Sequence, residues 1–433
     1  MGSVAFAFIL SARHGCGRSL FSEYRGIPKQ ASLLIYLSFI PNVVIGFIYS
    51  DLSYFLPEIQ GIGAGLPITV MAITLAVEVI PFGIVADRYG RLKMLVLGNL
   101  CASLSLIGFA LTSNLSLVLL VAVLEGTGEA AFAVSVSALL AEKAGNQKRT
   151  VAFSLLAFIG WMAGAVGNFV ISAVPALQAF GLDFKQAHVV LYVIISLLSL
   201  SITPFLFWVK ETTIFRRNEG ILPRKSARVI AKFSAYSLLI AMGAGLFVPL
   251  MAYWFKAAYS VTDVVSVPFL GLTYILTAGV VFMSPRLAKK LGLVKATVVT
   301  QAASTVFMVL IPSSPNFPIA ASIYIARVFL MNLSNPLTQS LIMGLVAPDE
   351  RGMAAGISAV LWRLPNGLTT SIGYSLMAAG YLALPFYIAT VLYVVGIVVF
   401  WFLFNRARLP EELSIGGQIP TQSSSLEGPE VER

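Results

Sequence analysis

The stretch "GIVADRYGRLK", residues 83–93, places Asp87, Arg88, Arg91 and Lys93 between two long apolar runs. A short charged segment between such runs reads as a turn at the edge of a membrane, joining two spanning helices. Gly90 supplies a tight turn, and Gly83 lets a neighbouring backbone come close. Asp87 is a carboxylate suited to a helix N-terminus or to an arginine. Arg88, Arg91 and Lys93 hold the turn to one side of the bilayer.

Outward from this turn the same texture continues. The chain has 433 residues, 58% hydrophobic and 11% charged. A soluble domain carries about 25% charged residues, so these could not cover a water-facing surface. Twelve apolar runs are expected to span: 30–50, 65–86, 94–112, 116–140, 150–174, 188–209, 233–257, 265–285, 296–312, 317–347, 353–378 and 382–405. The fold class is therefore an all-α membrane protein. Cys16 and Cys101 are too far apart in character to pair, one in the basic lead-in 1–29 and one inside the third run. The tail 406–433 is polar and reads as disordered.

All but four of the 29 Lys and Arg fall on one side if the N-terminus is cytosolic; the exceptions are Lys185, Lys256, Arg327 and Arg363. The positive-inside rule then puts both termini and the linker 210–232 in the cytoplasm. The net charge of +10 follows from these loops and implies no nucleic-acid partner. The linker separates residues 30–209 from 233–405, with six runs in each. One offset of 202 carries Gly90 to Gly292, Lys93 to Lys295, Arg149 to Arg351 and Glu125 to Arg327. A duplicated six-helix unit explains that offset, and such repeats build transporters with the site between the halves.

With Gly83, Asp87, Arg88, Gly90, Arg91 and Lys93 in place, the turn resembles the G-x-x-x-D-R-x-G-R-x-K signature of the major facilitator superfamily. The second copy, "SPRLAKKLGLVK" at 284–295, has Lys289 where the first has Asp87. The resemblance covers residues 30–405. It implies two pseudo-symmetric six-helix bundles rocking about a central cavity. It also implies a cytosolic gate of Gly83, Asp87, Arg88, Gly90, Arg91, Lys93, Arg149 and Arg351, with the start of the eleventh helix near Gly352 and Met353 facing Asp87. Proton-coupled efflux members are similar in helix four, but "AVLEGTGEAA" has Ala122 where their arginine stands. Helix five, "GWMAGAVGN" at 160–168, resembles the antiporter glycine motif with Ala165 in place of its proline; close helix packing explains its glycines equally.

Five ionisable residues fall deep in the runs: Glu78, Glu125, Glu129, Arg327 and Arg363. Charges at such depth face a cavity or a bundle interior and mark a path. Glu125 and Glu129 are one helical turn apart and share a face. If two of the three acids pair with the arginines, the third is left to hold a proton or meet a cationic substrate. Asn42, Asn332, Asn335, Asn366, Trp161, Tyr253 and Trp362 are candidates for completing the pocket. The resulting expectation is a monomeric secondary transporter of the plasma membrane. It would carry out proton-coupled efflux of an amphipathic or cationic small molecule, with no cofactor or metal. Two alternatives are uptake of a sugar or organic anion, with Arg327 and Arg363 as ligands, and a non-transporting receptor or scaffold. No nucleotide-binding loop and no Ser-His-Asp or His-Cys set points to an ATP-driven pump or an enzyme.

The topology is open to test. In intact cells an impermeant thiol reagent should label Lys185→Cys and leave Arg217→Cys unlabelled; the reverse pattern would invert the orientation.

Overall fold

The computed structural model describes residues 26–211, 226–346 and 351–405. The side chains of Asp87, Arg149 and Arg351, assigned above to the gate, lie outside the described residues, as do the greater part of the lead-in, residues 212–225 of the linker, and the whole of the tail 406–433. Every described element is helical. In chain order these are α1 Lys29–Gln60, α2 Gly65–Tyr89, α3 Arg91–Leu111, α4 Leu115–Gly145, α5 Val151–Ala179 and α6 Phe184–Leu206. After the linker come α7 Ala227–Tyr259, α8 Asp263–Leu291, α9 Leu293–Ser313, α10 Phe317–Leu345, α11 Arg351–Ala378 and α12 Leu384–Phe404.

Among the described residues, eleven helices are long and apolar enough to cross a membrane. The eleventh expected run, α11, is not one of them; it carries Arg363, Asn366, Thr369, Thr370 and Ser371 along its inner length. The linker is also shorter than expected, because helix α7 already begins at Ala227.

The turn of residues 83–93 has the predicted form. Gly90 sits at φ 113° and its repeat mate Gly292 at φ 76°, a region that side chains with a Cβ rarely adopt. Glu211 then accepts from the backbone N–H of Arg91 at 2.7 Å and of Leu92 at 3.3 Å, satisfying the orphan donors that open α3. A carboxylate at that end also suits the helix dipole. Gly83 does not admit a close backbone: a Cβ there would meet only the Val134 side chain at 3.7 Å.

Packing repeats between the halves. Helix α3 lies on α4 and α6, as α9 lies on α10 and α12. Helix α1 packs on α5 through Gly46, Gly164 and Gly167, where any Cβ would overlap the facing backbone or the Tyr274 ring. Helix α7 packs on α11 in the same way through Gly245 and Gly373. The halves meet along α2–α11, α5–α8 and α1–α7, contacts that the offset of 202 exchanges among themselves.

Those joints concentrate at one end. Calling the side with residues 83–93 the loop end, the contacts lie toward the opposite, far end. Thr69 on α2 donates to Gly367 O at 2.5 Å and lies 2.8 Å from Ser371 Oγ. Gly63 and Gly65 face Tyr374, and Gly271 faces Asn168. Glu58 and Lys256 form an ion pair at 3.6 Å between α1 and α7.

Candidate functional site

Between the halves lies a cavity of about 660 Å³, within the range of a drug-sized ligand site. Its wall includes Val136, Ser137, Phe153 and Asn335, in the loop-end parts of α4, α5 and α10. Asn42, Asn332, Asn335, Asn366, Trp161 and Trp362 all line it, as do Glu129, Arg327 and Arg363.

The charges divide into three situations. Glu129 on α4 is 6% exposed and meets Arg363 on α11 at 2.6 Å. Tyr49 on α1 closes the triangle: its hydroxyl donates to Glu129 at 2.6 Å and accepts from Arg363 at 2.7 Å. The guanidinium also lies 5.3 Å from the Tyr49 ring centroid. Three helices from both halves are thus held by one neutral charge pair.

Among the described residues Arg327 has no such acid. Its Nη2 donates to the Tyr393 hydroxyl at 2.6 Å, and its guanidinium stacks over the Phe247 and Tyr393 rings at 4.9 and 5.4 Å. Its Nε is buried without a partner. The expectation that each arginine takes one glutamate therefore holds for Arg363 alone.

Glu125 is fully buried and does not line the cavity. Its Oε2 lies against Ser105 Oγ, and Oε1 has no partner. Ser105 Oγ is also 2.8 Å from Ala102 O. A hydroxyl has one proton, and a carbonyl can only accept. Ser105 can therefore donate to Glu125 Oε2 or to Ala102 O but not to both; with its proton on Ala102 O, the carboxyl must supply the proton of the Ser105–Glu125 contact. Gly126 and Gly128 explain how the group is sealed: a Cβ on either would clash with α2 or α3.

Two expected residues are elsewhere. Glu78 lies outside the cavity wall, half-buried with Oε2 unpartnered. Tyr253 belongs to the far-end closure, where its ring stands 5.0 Å from that of Tyr374. Helix α2, which carries Glu78, gives no residue to the wall, and Tyr253 follows the lining residues Met251 and Ala252 on α7 without joining them, so helix membership alone carries no facing. Within the gate set, Arg91 pairs with Glu142 at 3.3 Å, while Arg88 and Lys93 are exposed. Tyr49, Tyr393 and Ser105 were not foreseen. Tyr49 is seven residues after Asn42, the same helical face, and that spacing was the available signal.

The sequence profile described as Major Facilitator Superfamily matches residues 31–370. The chain belongs to that superfamily. It is an integral membrane transporter by family. A curated relative, "Inner membrane transport protein YajR" of Escherichia coli (strain K12), is 31% identical over 173 residues. That match spans 39% of this chain and about a third (36%) of the relative's length. Among solved structures, a variant of the nucleoside transporter NupG aligns with TM-score 0.70 at 13% identity, covering 87% of this chain and all (100%) of that one. A bacterial homologue of the human lysosomal transporter Spinster, inward-facing and unoccupied, gives 0.68 at 12%, covering 86% and 96%. The human organic anion transporter MFSD10 (TETRAN) gives 0.62 at 12%, covering 86% and 100%. At these identities the structural likenesses speak for the fold alone.

Removing the two glutamates should have unlike effects. Glu129→Gln strands the Arg363 guanidinium and should cost about 1–3 kcal/mol, less than a fully dry pair because Arg363 keeps some exposure. Glu125→Gln keeps a neutral group in place and should change stability by less than about 1 kcal/mol. Thermal unfolding of the purified protein in detergent measures both.

Proposed function

We propose that the protein carries a small organic anion by alternating access, using the proton as coupling ion. One observation carries the substrate class. Glu129 is already neutralised by Arg363, whereas Arg327 in the same wall has no acid beside it among the described residues. The described wall therefore presents one uncompensated positive charge. A cation would find no free carboxylate there, which argues against the cationic substrate expected from the sequence. An aromatic surround of Phe247, Tyr393 and Tyr324 suits the apolar body of an amphipathic anion.

Glu125 supplies the proton in this reading. It shares a helix face with Glu129, holds its proton against Ser105, and has no cation beside it among the described residues. When the halves rock, water can reach it and take that proton. The glutamates are then an unequal pair: Glu129 stays ionised as a link between halves, and Glu125 cycles. Efflux remains the favoured direction only by the resemblance of helix four, from which the arginine is missing at Ala122.

The arrangement proposed with this function is twelve spans in two six-helix bundles, with α11 as the polar eleventh, in a monomer. Both termini and the loop end are cytosolic. The far-end joints then seal the outer side, and the cavity faces inward. The Asp87 gate, with Arg149 and Arg351, would close in the opposite state.

Anions and cations of matched size should be screened by thermal shift, where a specific ligand stabilises by RT ln(1 + [L]/Kd). An organic anion should raise the melting temperature and drive counterflow in proteoliposomes. Arg327→Met should weaken that binding at least about tenfold, the effect of losing one charge-assisted contact. Stabilisation by cations, unchanged in Arg327→Met, would overturn the substrate class.

A further inference from the structure

A second set of buried ionisable groups lies at the far end, away from the cavity. Asp51 on α1, His188 on α6 and Asp263 at the start of α8 are each 0% exposed. His188 and Asp263 come from opposite halves and meet Nε2 to Oδ2 at 2.5 Å. Tyr192 donates to Asp51 Oδ2 at 2.9 Å. The Asp51 carboxyl has the Asp263 carboxyl as its charged neighbour. Phe55 and Phe184 cover the imidazole, and Phe55 stacks on Tyr192 at 4.2 Å.

The bonds can be counted in protons. His188 Nδ1 is 2.8 Å from Phe184 O. A carbonyl only accepts, so Nδ1 carries a proton. The Nε2–Asp263 contact then needs a further proton, on the ring or on the acid. Asp51 Oδ1 and Asp263 Oδ1 are both buried with no donor. Two neighbouring carboxylates buried from water repel unless one of them holds a proton. With the imidazole proton and this acid proton both in place the cluster is neutral: two carboxylates, one imidazolium and one retained acid proton cancel. With one fewer it holds a net negative charge sealed from water, which is strongly unfavourable.

We propose that Asp51, Asp263 and His188 form a second proton-binding site that holds the far end shut only while both of these protons are bound. The site rests on the alternating-access reading but not on the roles of Glu125, Glu129 or Arg327. Opening separates Asp263 from Asp51 and His188 and admits water, where an aspartic carboxyl ionises above about pH 4. One proton leaves on the far side at each opening and returns at each closure. The groups facing the cluster are Tyr54 and Glu58 from α1, Tyr192 from α6, and Lys256 from α7, the last paired with Glu58. Asp183 and Lys185 at the start of α6 are exposed. None of these neutralises a bare carboxylate in the closed cluster.

The sign follows. The closed state binds more protons than the open one, so closure is favoured at low pH and lost as pH rises. For one proton the closed-to-open ratio falls about tenfold per pH unit. Spin labels on Ser113→Cys and Ser313→Cys, at the far ends of α3 and α9, read the separation of the halves by pulsed dipolar spectroscopy. The background is the full chain with Cys16→Ser and Cys101→Ser. The long-distance population should grow with pH in the otherwise native protein, and Asp51→Asn, which bonds without titrating, should flatten that slope. Gly367→Trp, which wedges α11 from Ala72, should give the long distance at every pH and so define the open state. A native protein with no pH dependence, or one matched by Asp51→Asn, would overturn the proton site while leaving alternating access intact. Failure of Gly367→Trp to lengthen the distance would instead overturn the opening of this end, and with it both readings. The native titration needs no variant in the cluster, so misfolding of Asp51→Asn would not shield the proposal.

Discussion

A charge inside a membrane must be neutralised, and the Glu129–Arg363–Tyr49 triangle is where this chain meets that constraint most visibly. The acid comes from α4, the guanidinium from α11 and the phenol from α1. Breaking the pair would leave one bare charge far from bulk water, so the contact constrains how the halves can separate. It also decides what the other charges are free to do. Arg327 cannot use Glu129, so it turns to aromatic faces and one phenol. Glu125 cannot use Arg363, so it is left with a serine.

Small residues make that geometry reachable. Glycines let α5 and α11 press against α1 and α7 at backbone distance, once in each half. Lipid tails offer helices no hydrophobic drive to associate, so close backbone packing and interhelical bonds must supply the adhesion. The far-end closure uses one kind of joint twice, α2 on α11 and α5 on α8. Buried polar bonds such as that of Thr69 to Gly367 O add to the packing of these joints.

Much of the fold was legible because the bilayer enforces length and hydropathy, and because the 83–93 turn has unusual chemistry. Even so, Thr369, Thr370, Ser371 and Asn366 dilute α11 enough to drop it below the other helices. The site was legible as a set of depths, not of directions. Depth singled out Glu129, Arg327 and Arg363, but facing put Tyr253 in the closure and Glu78 outside the wall. The partner of each charge was not readable, since a tyrosine or serine in an apolar run looks like packing. Asp51, His188 and Asp263 escaped for another reason. Apolar runs of 30–50, 188–209 and 265–285 stop at or just short of them, whereas the helices run from Lys29 to Gln60, from Phe184 and from Asp263. A window that trims polar ends discards the residues that seal those ends.

The central claim is that two acids one turn apart are held in opposite protonation states by their neighbours. Infrared spectroscopy separates a protonated carboxyl stretch from a carboxylate stretch directly. At neutral pH, Glu125→Gln should remove one protonated-carboxyl component from the spectrum of the purified protein. Glu129→Gln should instead remove a carboxylate component and leave the protonated one in place. A protonated component lost with Glu129→Gln, or untouched by Glu125→Gln, would contradict the account.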